Sequence, residues 1–445
     1  MNKRSLKNLT IPQYLSLGFL LVILTGATLL SLPIASKSGQ ATPFIDALFT
    51  AVSATCVTGQ VIYNTVEHWS HFGQIVIITM IEIGGLGVMT ILVLLTLFLG
   101  KKLQLKDRLL IHESLNLKES NDASEIVKYV IKFSLSVQAI GALILSTQLI
   151  PQFGVLKGIY YSIFHAISAF CNAGFDLFGD SLMSYQNNPV IIMTIAGLII
   201  FGGLGFIVWR DLFTYRKNKH LLLQTRLVLI LTVILLVSGT VLYIITEYNT
   251  ETFSGLSLGS MVMNSFFMST TARTAGYANV NYSTLSIATL FLTCILMFIG
   301  GASGSTAGGI KVTTIAVLFL YLRASIKGEH VVFKKRGITN EIVLKSITLL
   351  VISLLLIVVS TFILSITEVI PPGFGIEYIL VEVFSCFGTV GLTMGLTPNL
   401  SVVGKLLLSL LMFMGRVGLL TVIMSFSHQR KTDGIRYPNG HIMIG

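Results

Sequence analysis

The run FIDALFTAVSATCVTGQ, residues 44–60, decides how the rest of the sequence is read. It is amphipathic at first, then gives way to small residues and a single glycine, Gly59. Its 12–15 residues before that glycine are too few to cross a hydrocarbon core, which takes about 20. They suit a half-helix that enters a membrane and turns back, a backbone tolerated at that depth only where protein buries it or water lines it. The pattern recurs as LKGIYYSIFHAISAFCNAGF (156–175), GSMVMNSFFMSTTARTAGY (259–277) and EYILVEVFSCFGTVGL (377–392). The shared glycines Gly59, Gly174, Gly276 and Gly391 are 115, 102 and 115 residues apart, so the repeating units are near-equal in length.

Around these runs lie long apolar stretches: Leu17–Leu32, Ile75–Leu99, Leu221–Ile245, Leu285–Phe298 and Ile342–Ile366. Apolar residues make up 53% of the 445 and charged residues only 11%, which leaves no room for a large soluble domain. The first stretch is too long for a signal-peptide core and is read as a retained helix. Cys56, Cys171, Cys294 and Cys386 form no CxxC pair and sit among apolar or small residues, as buried packing thiols do.

The net charge of +11 would suit nucleic acid if the basic residues formed a patch. They cluster instead at the ends of apolar stretches, which is a topology signal and not a nucleic-acid one. Of the 30 basic residues, 24 fall in the N-terminus, in 100–132, in 210–226, in 323–345 and in the tail from Arg430 onward. Successive basic segments enclose two long spans with a re-entrant run between them. Putting every basic segment in the cytoplasm predicts an all-α membrane protein with both termini cytoplasmic. It has eight transmembrane helices in four parallel M1–pore loop–M2 repeats around a central pore. The repeats are 1–105, 106–216, 217–325 and 326–445, the last including a cytoplasmic tail. Asp46, Glu67, Asp176, Asp180, Glu247, Glu251, Glu368, Glu377 and Glu382 fall outside, where a negative rim gathers cations.

From 24 to 28 residues after each glycine comes a second glycine cluster: IEIGGLGVM (81–89), IIFGGLGFIV (199–208), MFIGGASGSTAGGI (297–310) and FMGRVGLLT (413–421). Close helix packing is the ordinary use of any one of them. Ion conduction explains the first set. A dehydrated cation needs oxygens in place of its water shell, and rings of backbone carbonyls supply them without a fixed charge. Glycine adopts the backbone angles that point carbonyls inward. One ring comes from Gly59, Gly174, Gly276 and Gly391; Val57, Thr58, Asn172, Ala173, Thr274, Ala275, Thr389 and Val390 supply the rings below.

On these loops and their repetition the chain resembles the Trk/Ktr/HKT superfamily of potassium transporters, most closely the membrane subunit of Ktr uptake systems. The resemblance covers residues 10–427. It implies potassium uptake through the plasma membrane, K+ as the transported ion, Na+ as a candidate activator and no bound cofactor. It also implies a homodimer with one pore per subunit, embedded in membrane lipid. A cytosolic nucleotide-binding (RCK-type) regulatory ring would dock on the basic loops and tail. A serine at the first-unit glycine accompanies sodium transport in that family; Gly59 here favours potassium.

GGASGSTAGG, comprising Gly300, Gly301, Ala302, Ser303, Gly304, Ser305, Thr306, Ala307, Gly308 and Gly309, differs from its counterparts, which are expected to continue as apolar helix. Five glycines at about 1 kcal/mol each should break the third outgoing helix. The resemblance makes this stretch an intramembrane gate. Arg416 stands at the matching depth of the fourth unit, where an arginine costs at least about 2.5–3.5 kcal/mol and marks a pathway. It is read as part of the gate or as half of a structural ion pair, with Glu82 as a candidate partner. Arg273 is either a brace behind the filter or an ion-repelling charge.

Three other readings carry less. Gly304-x4-Gly309 has a phosphate-loop outline but lacks the adjacent Lys-Ser/Thr. His165 has no ligand set around it and is read as polar glue. The competing class is a secondary transporter, coupled to sodium or protons, with alternating access. Such folds are usually built from inverted repeats, whereas the charge pattern here gives units of one orientation.

Overall fold

The computed structural model of the chain describes residues 10–87, Thr90 and 123–426. The basic residues before residue 10, those from Lys101 to Lys118 and the tail after Phe426 lie outside these residues. So do Val88 and Met89 of the first glycine cluster.

The described chain is helical, apart from a small hairpin, Val332–Phe333 with Arg336–Gly337. Four helices are long and apolar enough to cross a membrane: α1 (Ile11–Ser31), α4 (Ala123–Phe153), α8 (Leu223–Glu247) and α12 (Asn340–Thr367). Their outward faces are apolar, with Leu21 68%, Leu143 69% and Phe362 66% exposed. Such faces suit lipid, which leaves no polar backbone group to satisfy outside the helix.

A short helix and an outgoing helix follow each long one. The short helices are α2 (Phe44–Thr55), α5 (Val155–Phe170), α9 (Leu258–Thr271) and α13 (Glu377–Gly388). The outgoing helices begin with α3 (His71–Leu86), α6 (Pro189–Gly203), α10 (Ile287–Phe298) and α14 (Val402–Val417). Each outgoing helix starts at a side-chain cap, Ser70, Asn188, Ser286 or Ser401, whose oxygen accepts first-turn backbone N–H groups. The same caps fasten the outgoing helix to the end of the incoming one. Ser70 Oγ donates to Ile34 O at 2.6 Å and Asn188 Nδ2 to Gln148 Oε1 at 3.2 Å. Ser286 Oγ donates to Glu247 Oε1 at 2.8 Å and Ser401 Oγ to Glu368 Oε1 at 2.6 Å.

These fastenings revise the negative rim. Glu247 and Glu368 are buried latches, Asp46 is buried against Lys405 at 2.6 Å, and Glu382 is fully buried. Glu67 remains exposed.

The outgoing helices also depart from expectation. Not only the third breaks. After α6 the chain turns by 90° into α7 (Phe206–Asn218), and after α14 by 102° into α15 (Leu419–Phe426). The hinges are Gly205 and Gly418, with φ of 90° and 101°, and Gly87 ends α3 with φ 88°. Three residues before each of these positive-φ glycines another glycine packs on the last turn of a short helix. A methyl group on Gly84, Gly202 or Gly415 would come within 2.7 Å, 3.0 Å or 3.2 Å of the carbonyl carbon of Thr55, Phe170 or Phe387. Both uses of glycine, close packing and positive φ, therefore sit in one GxxG spacing. Gly301 and Gly304, the latter with φ 71°, are at that spacing in the third unit. There the break widens to residues 299–311 before α11 (Val312–Lys327) resumes.

Candidate ion pathway

The four short helices end on one another. A methyl group placed on Gly59 would lie 3.2 Å from Gly174 Cα, and one on Gly174 would lie 3.0 Å from Gly276 Cα. From Gly276 the corresponding distance to Gly391 Cα is 3.1 Å, and from Gly391 back to Gly59 Cα it is 3.1 Å. At every step the nearest atom is the carbonyl oxygen before the next glycine: Ala173 O, Ala275 O, Val390 O, then Thr58 O. The glycines form a closed ring with no space for a side chain at any joint.

Local backbone explains which way the carbonyls point. Val57, Asn172, Thr274 and Thr389, each two residues before a ring glycine, have φ of 58°, 60°, 78° and 51°. The glycines themselves have φ of 89°, 69°, 79° and 101°. Left-handed residues alternating with right-handed ones turn successive carbonyls to the same side, whereas a regular strand alternates them. Valine and threonine occupy that region at a cost of about 1–3 kcal/mol each, a strain that clusters at functional sites. Three of the helices reach it through the same cap: Thr58 N–H to Ser53 O, Ala173 N–H to Ser168 O and Val390 N–H to Ser385 O, all 2.8 Å. The third unit closes one residue tighter, with Ala275 N–H donating to Thr271 O at 2.9 Å. All four helix C-termini thus face the ring with their partial negative charge.

Hydrogen bonds between units hold the ring. The side chains of Asn172 and Thr274 meet at 3.1 Å, and Tyr277 donates to Phe175 O at 3.0 Å. Gln60 Nε2 donates to Leu392 O at 3.2 Å. His165 is polar glue, as read: its Nδ1–H donates to Tyr161 O at 2.7 Å and its Nε2 accepts from Leu177 N–H at 3.1 Å. After the first ring glycine, Tyr63 donates to Asp46 Oδ2 at 2.7 Å, and burial together with that carboxylate pushes the phenol up to about 12.

The glycine-rich loop lies against the side of the ring where the fourth short helix ends. A methyl group on Gly308 would come within 2.8 Å of Thr389 Cγ2, and one on Gly309 within 3.3 Å of Gly388 Cα. One side of the loop is fastened to the second unit. Ala302 N–H donates to Gly203 O at 3.0 Å, Thr306 Oγ1 to Phe170 O at 3.2 Å, and Phe206 N–H to Gly304 O at 3.0 Å. The other side is fastened to the fourth, through Gly309 N–H to Gly415 O at 3.2 Å. Gly300 and Ser303 sit within the loop's own bonds, Gly300 N–H to Ile310 O at 2.8 Å and Ser303 Oγ to Thr313 Oγ1 at 3.2 Å. Ser305 Oγ donates to Ala302 O at 2.6 Å and accepts from Ala307 N–H at 3.2 Å.

Arg416 joins the loop to the first unit. Its guanidinium donates to Thr306 O, to Gly84 O and, at 2.9 Å, to Gly85 O. Its partners are carbonyls, so it is no half of an ion pair. Glu82 turns instead to Gln138 Nε2 at 2.9 Å and Cys171 Sγ at 3.3 Å. Arg273 lines a small cavity with Gly203, Thr270 and Gly301, and its Nε has no hydrogen-bond partner among the described residues. It does not brace the ring through that atom. A second loop cation was missed in the sequence. Lys311 Nζ donates to Ala307 O at 2.7 Å, and its signal was its place directly after the glycine run.

An apolar helical scaffold that closes four glycines into one ring, and holds Arg416 and Lys311 on a neighbouring glycine-rich loop, suits a charge and not a bond. The class is an ion-transporting membrane protein, not an enzyme. The chain belongs to the TrkH family of cation transport proteins, whose family model matches residues 7–435. It is 48% identical to the potassium/sodium uptake protein NtpJ of Enterococcus hirae, over 100% of this chain and 99% of that one. It is 43% identical to the Ktr system potassium uptake protein B of Bacillus subtilis, over 98% and 97%. The crystal structure of the potassium transporter TrkH from Vibrio parahaemolyticus superposes with a TM-score of 0.70 at 19% identity, covering 92% of this chain and 84% of that one.

Proposed function

We propose that the chain is the conducting subunit of a potassium uptake system in the plasma membrane, with the glycine ring as its filter and residues 300–309 with Arg416 as its gate. The closed ring of Gly59, Gly174, Gly276 and Gly391 carries this reading. Four carbonyls at each level replace the water of a cation at no cost in fixed charge, and the helix C-termini deepen the well. Below it, the guanidinium of Arg416 opposes a cation leaving the ring, and the loop carbonyls hold that charge in place.

The eight-span arrangement in repeats 1–105, 106–216, 217–325 and 326–445 fits the four latches between incoming and outgoing helices. Basic segments then face the cytoplasm with both termini. A homodimer, and a cytosolic nucleotide-binding ring docked on the basic loops, fit the relatives named for Ktr systems. The tail in that docking lies outside the described residues. Sodium is the second reading for the cargo, favoured by the relative named for both ions.

Flux of K+ and Na+ into liposomes containing this chain alone is the test. Potassium flux that reverses at the potassium equilibrium potential is expected. Flux that reverses elsewhere, in step with a sodium or proton gradient, would replace the pore by a coupled carrier.

A further inference from the structure

Nine residues before the four ring glycines stand Thr50, His165, Phe267 and Glu382, all buried in the short helices. Only the last can carry a negative charge. Glu382 is 0% exposed. The two ion pairs among the described residues are Lys345–Glu341 and Lys405–Asp46, and Glu382 belongs to neither.

Its hydrogen-bond partners instead lead to the ring. Gln60 Nε2, from the residue after Gly59, donates to Glu382 Oε2 at 2.6 Å. The same nitrogen reaches Leu392 O, just after Gly391, at 3.2 Å and Ser385 Oγ at 3.3 Å. Ser385 Oγ in turn accepts the N–H of Gly391 itself at 2.9 Å. Thr393 Oγ1 bonds to Glu382 Oε1, and Thr397 Oγ1 lies 3.1 Å from Oε2 and also donates to Gln60 Oε1. The carboxylate therefore sits one side chain behind the joint between Gly59 and Gly391.

Every contact of this group is an uncharged donor. A charge so buried needs a counter-charge, and Gln60 and Ser385 link this one to the ring, where on the filter reading a cation stands in transit. We infer that Glu382 is a fixed negative charge of the filter, positioned by Gln60, Thr393 and Thr397, and that the permeating potassium ion is its counter-ion. It is a specificity-determining group that acts through space and never touches the ion. This inference rests on reading the ring as the filter.

Glu382→Gln keeps the shape and removes the charge. In cells that depend on this chain for potassium, the variant should raise KM for K+ at least tenfold while Vmax stays within about threefold of the parent. Purified parent should gain thermal stability in KCl over choline chloride, and the variant should lose that gain while matching the parent in choline. A parent-like KM together with a parent-like gain in KCl overturns the inference and makes Glu382 a neutral structural acid. If the amide variant fails to accumulate, Glu382→Asp, which draws the charge back by one methylene, should raise KM two- to fivefold with Vmax retained. An aspartate variant with the parent KM overturns it equally. Gly59→Ser separates this failure from that of the filter: if its ion preference is unchanged, both readings fall together; if altered, only this one is at risk.

Discussion

The guanidinium of Arg416 donates to the carbonyl of Thr306, tying the end of α14 to a loop 110 residues earlier in the chain. The bond links the outgoing segments of two different units beside the glycine ring. The same guanidinium also holds Gly84 and Gly85 of the first unit, so moving the loop breaks one of several bonds and leaves the arginine partly satisfied.

Arg416→Ser, or removal of part of residues 300–309, should raise potassium flux in the resting state while preserving ion preference. The barrier goes, and the four ring glycines are untouched. Rubidium uptake into liposomes measures it, with folding checked by gel filtration. Folded variants whose flux equals the parent's would make the loop a packing break only.

Lys311→Met should act in the same direction and less strongly. Lys311 holds Ala307 O at 2.7 Å, next to the Thr306 carbonyl that Arg416 holds, so its loss loosens this end of the loop while one of the two cationic ties remains. Resting flux between that of the parent and that of Arg416→Ser is expected in the same assay. A flux below the parent's would show that Lys311 opens the loop and does not hold it.

Gly59→Ser should weaken the preference for potassium over sodium. A side chain at this joint meets Ala173 O and comes within 3.2 Å of Gly174 Cα, and φ 89° disfavours any residue but glycine. The ring must widen or twist there, and a looser ring discriminates less between ions of different size. Reversal potentials in mixed K+ and Na+ report it; an unchanged ratio removes Gly59 from the filter.

A pair of alanine variants separates packing from propensity. At Gly202 a methyl group would lie 3.0 Å from the Phe170 carbonyl carbon and 2.7 Å from Thr306 Oγ1. Gly202→Ala should destabilise by about 1–3 kcal/mol, the scale of core overpacking. Gly197, on the same helix, has nothing within 4 Å, and Gly197→Ala should be neutral or stabilising by up to about 1 kcal/mol. Melting temperatures in detergent test both, and equal shifts would remove the packing argument.

Much of this was legible because the ring depends on a feature that the sequence displays openly. A short apolar run that ends in small residues and glycine, four times over, has few uses at membrane depth. The loop at 300–309 was visible for a similar reason, since five glycines cannot stay helical there. The hinges at Gly205 and Gly418, and the helix end at Gly87, were not seen, because a lone glycine in an apolar helix ordinarily means close packing. The partner three residues earlier was the signal, as Gly84, Gly202 and Gly415 do pack. Glu382 was grouped with outward-facing acids by its segment. Its burial depends on Gln60, 322 residues away, and no local pattern announces such a pairing. The pairing of Arg416 with Glu82 failed likewise, since opposite charge seemed a sufficient reason and backbone carbonyls carry no letter of their own.

Because the four quarters of the ring are joined in one polypeptide, they need not be identical. In a tetramer of identical subunits every substitution is made fourfold, so an arginine beneath the ring would come as four and a carboxylate behind it as four. Here the stoichiometry of each can be one. On the gate reading, a single Arg416 would be a barrier small enough for a loop to present or withdraw, where four would bar any cation permanently. Asymmetry of this kind is open to a single chain that carries all four units, and closed to an assembly of identical subunits.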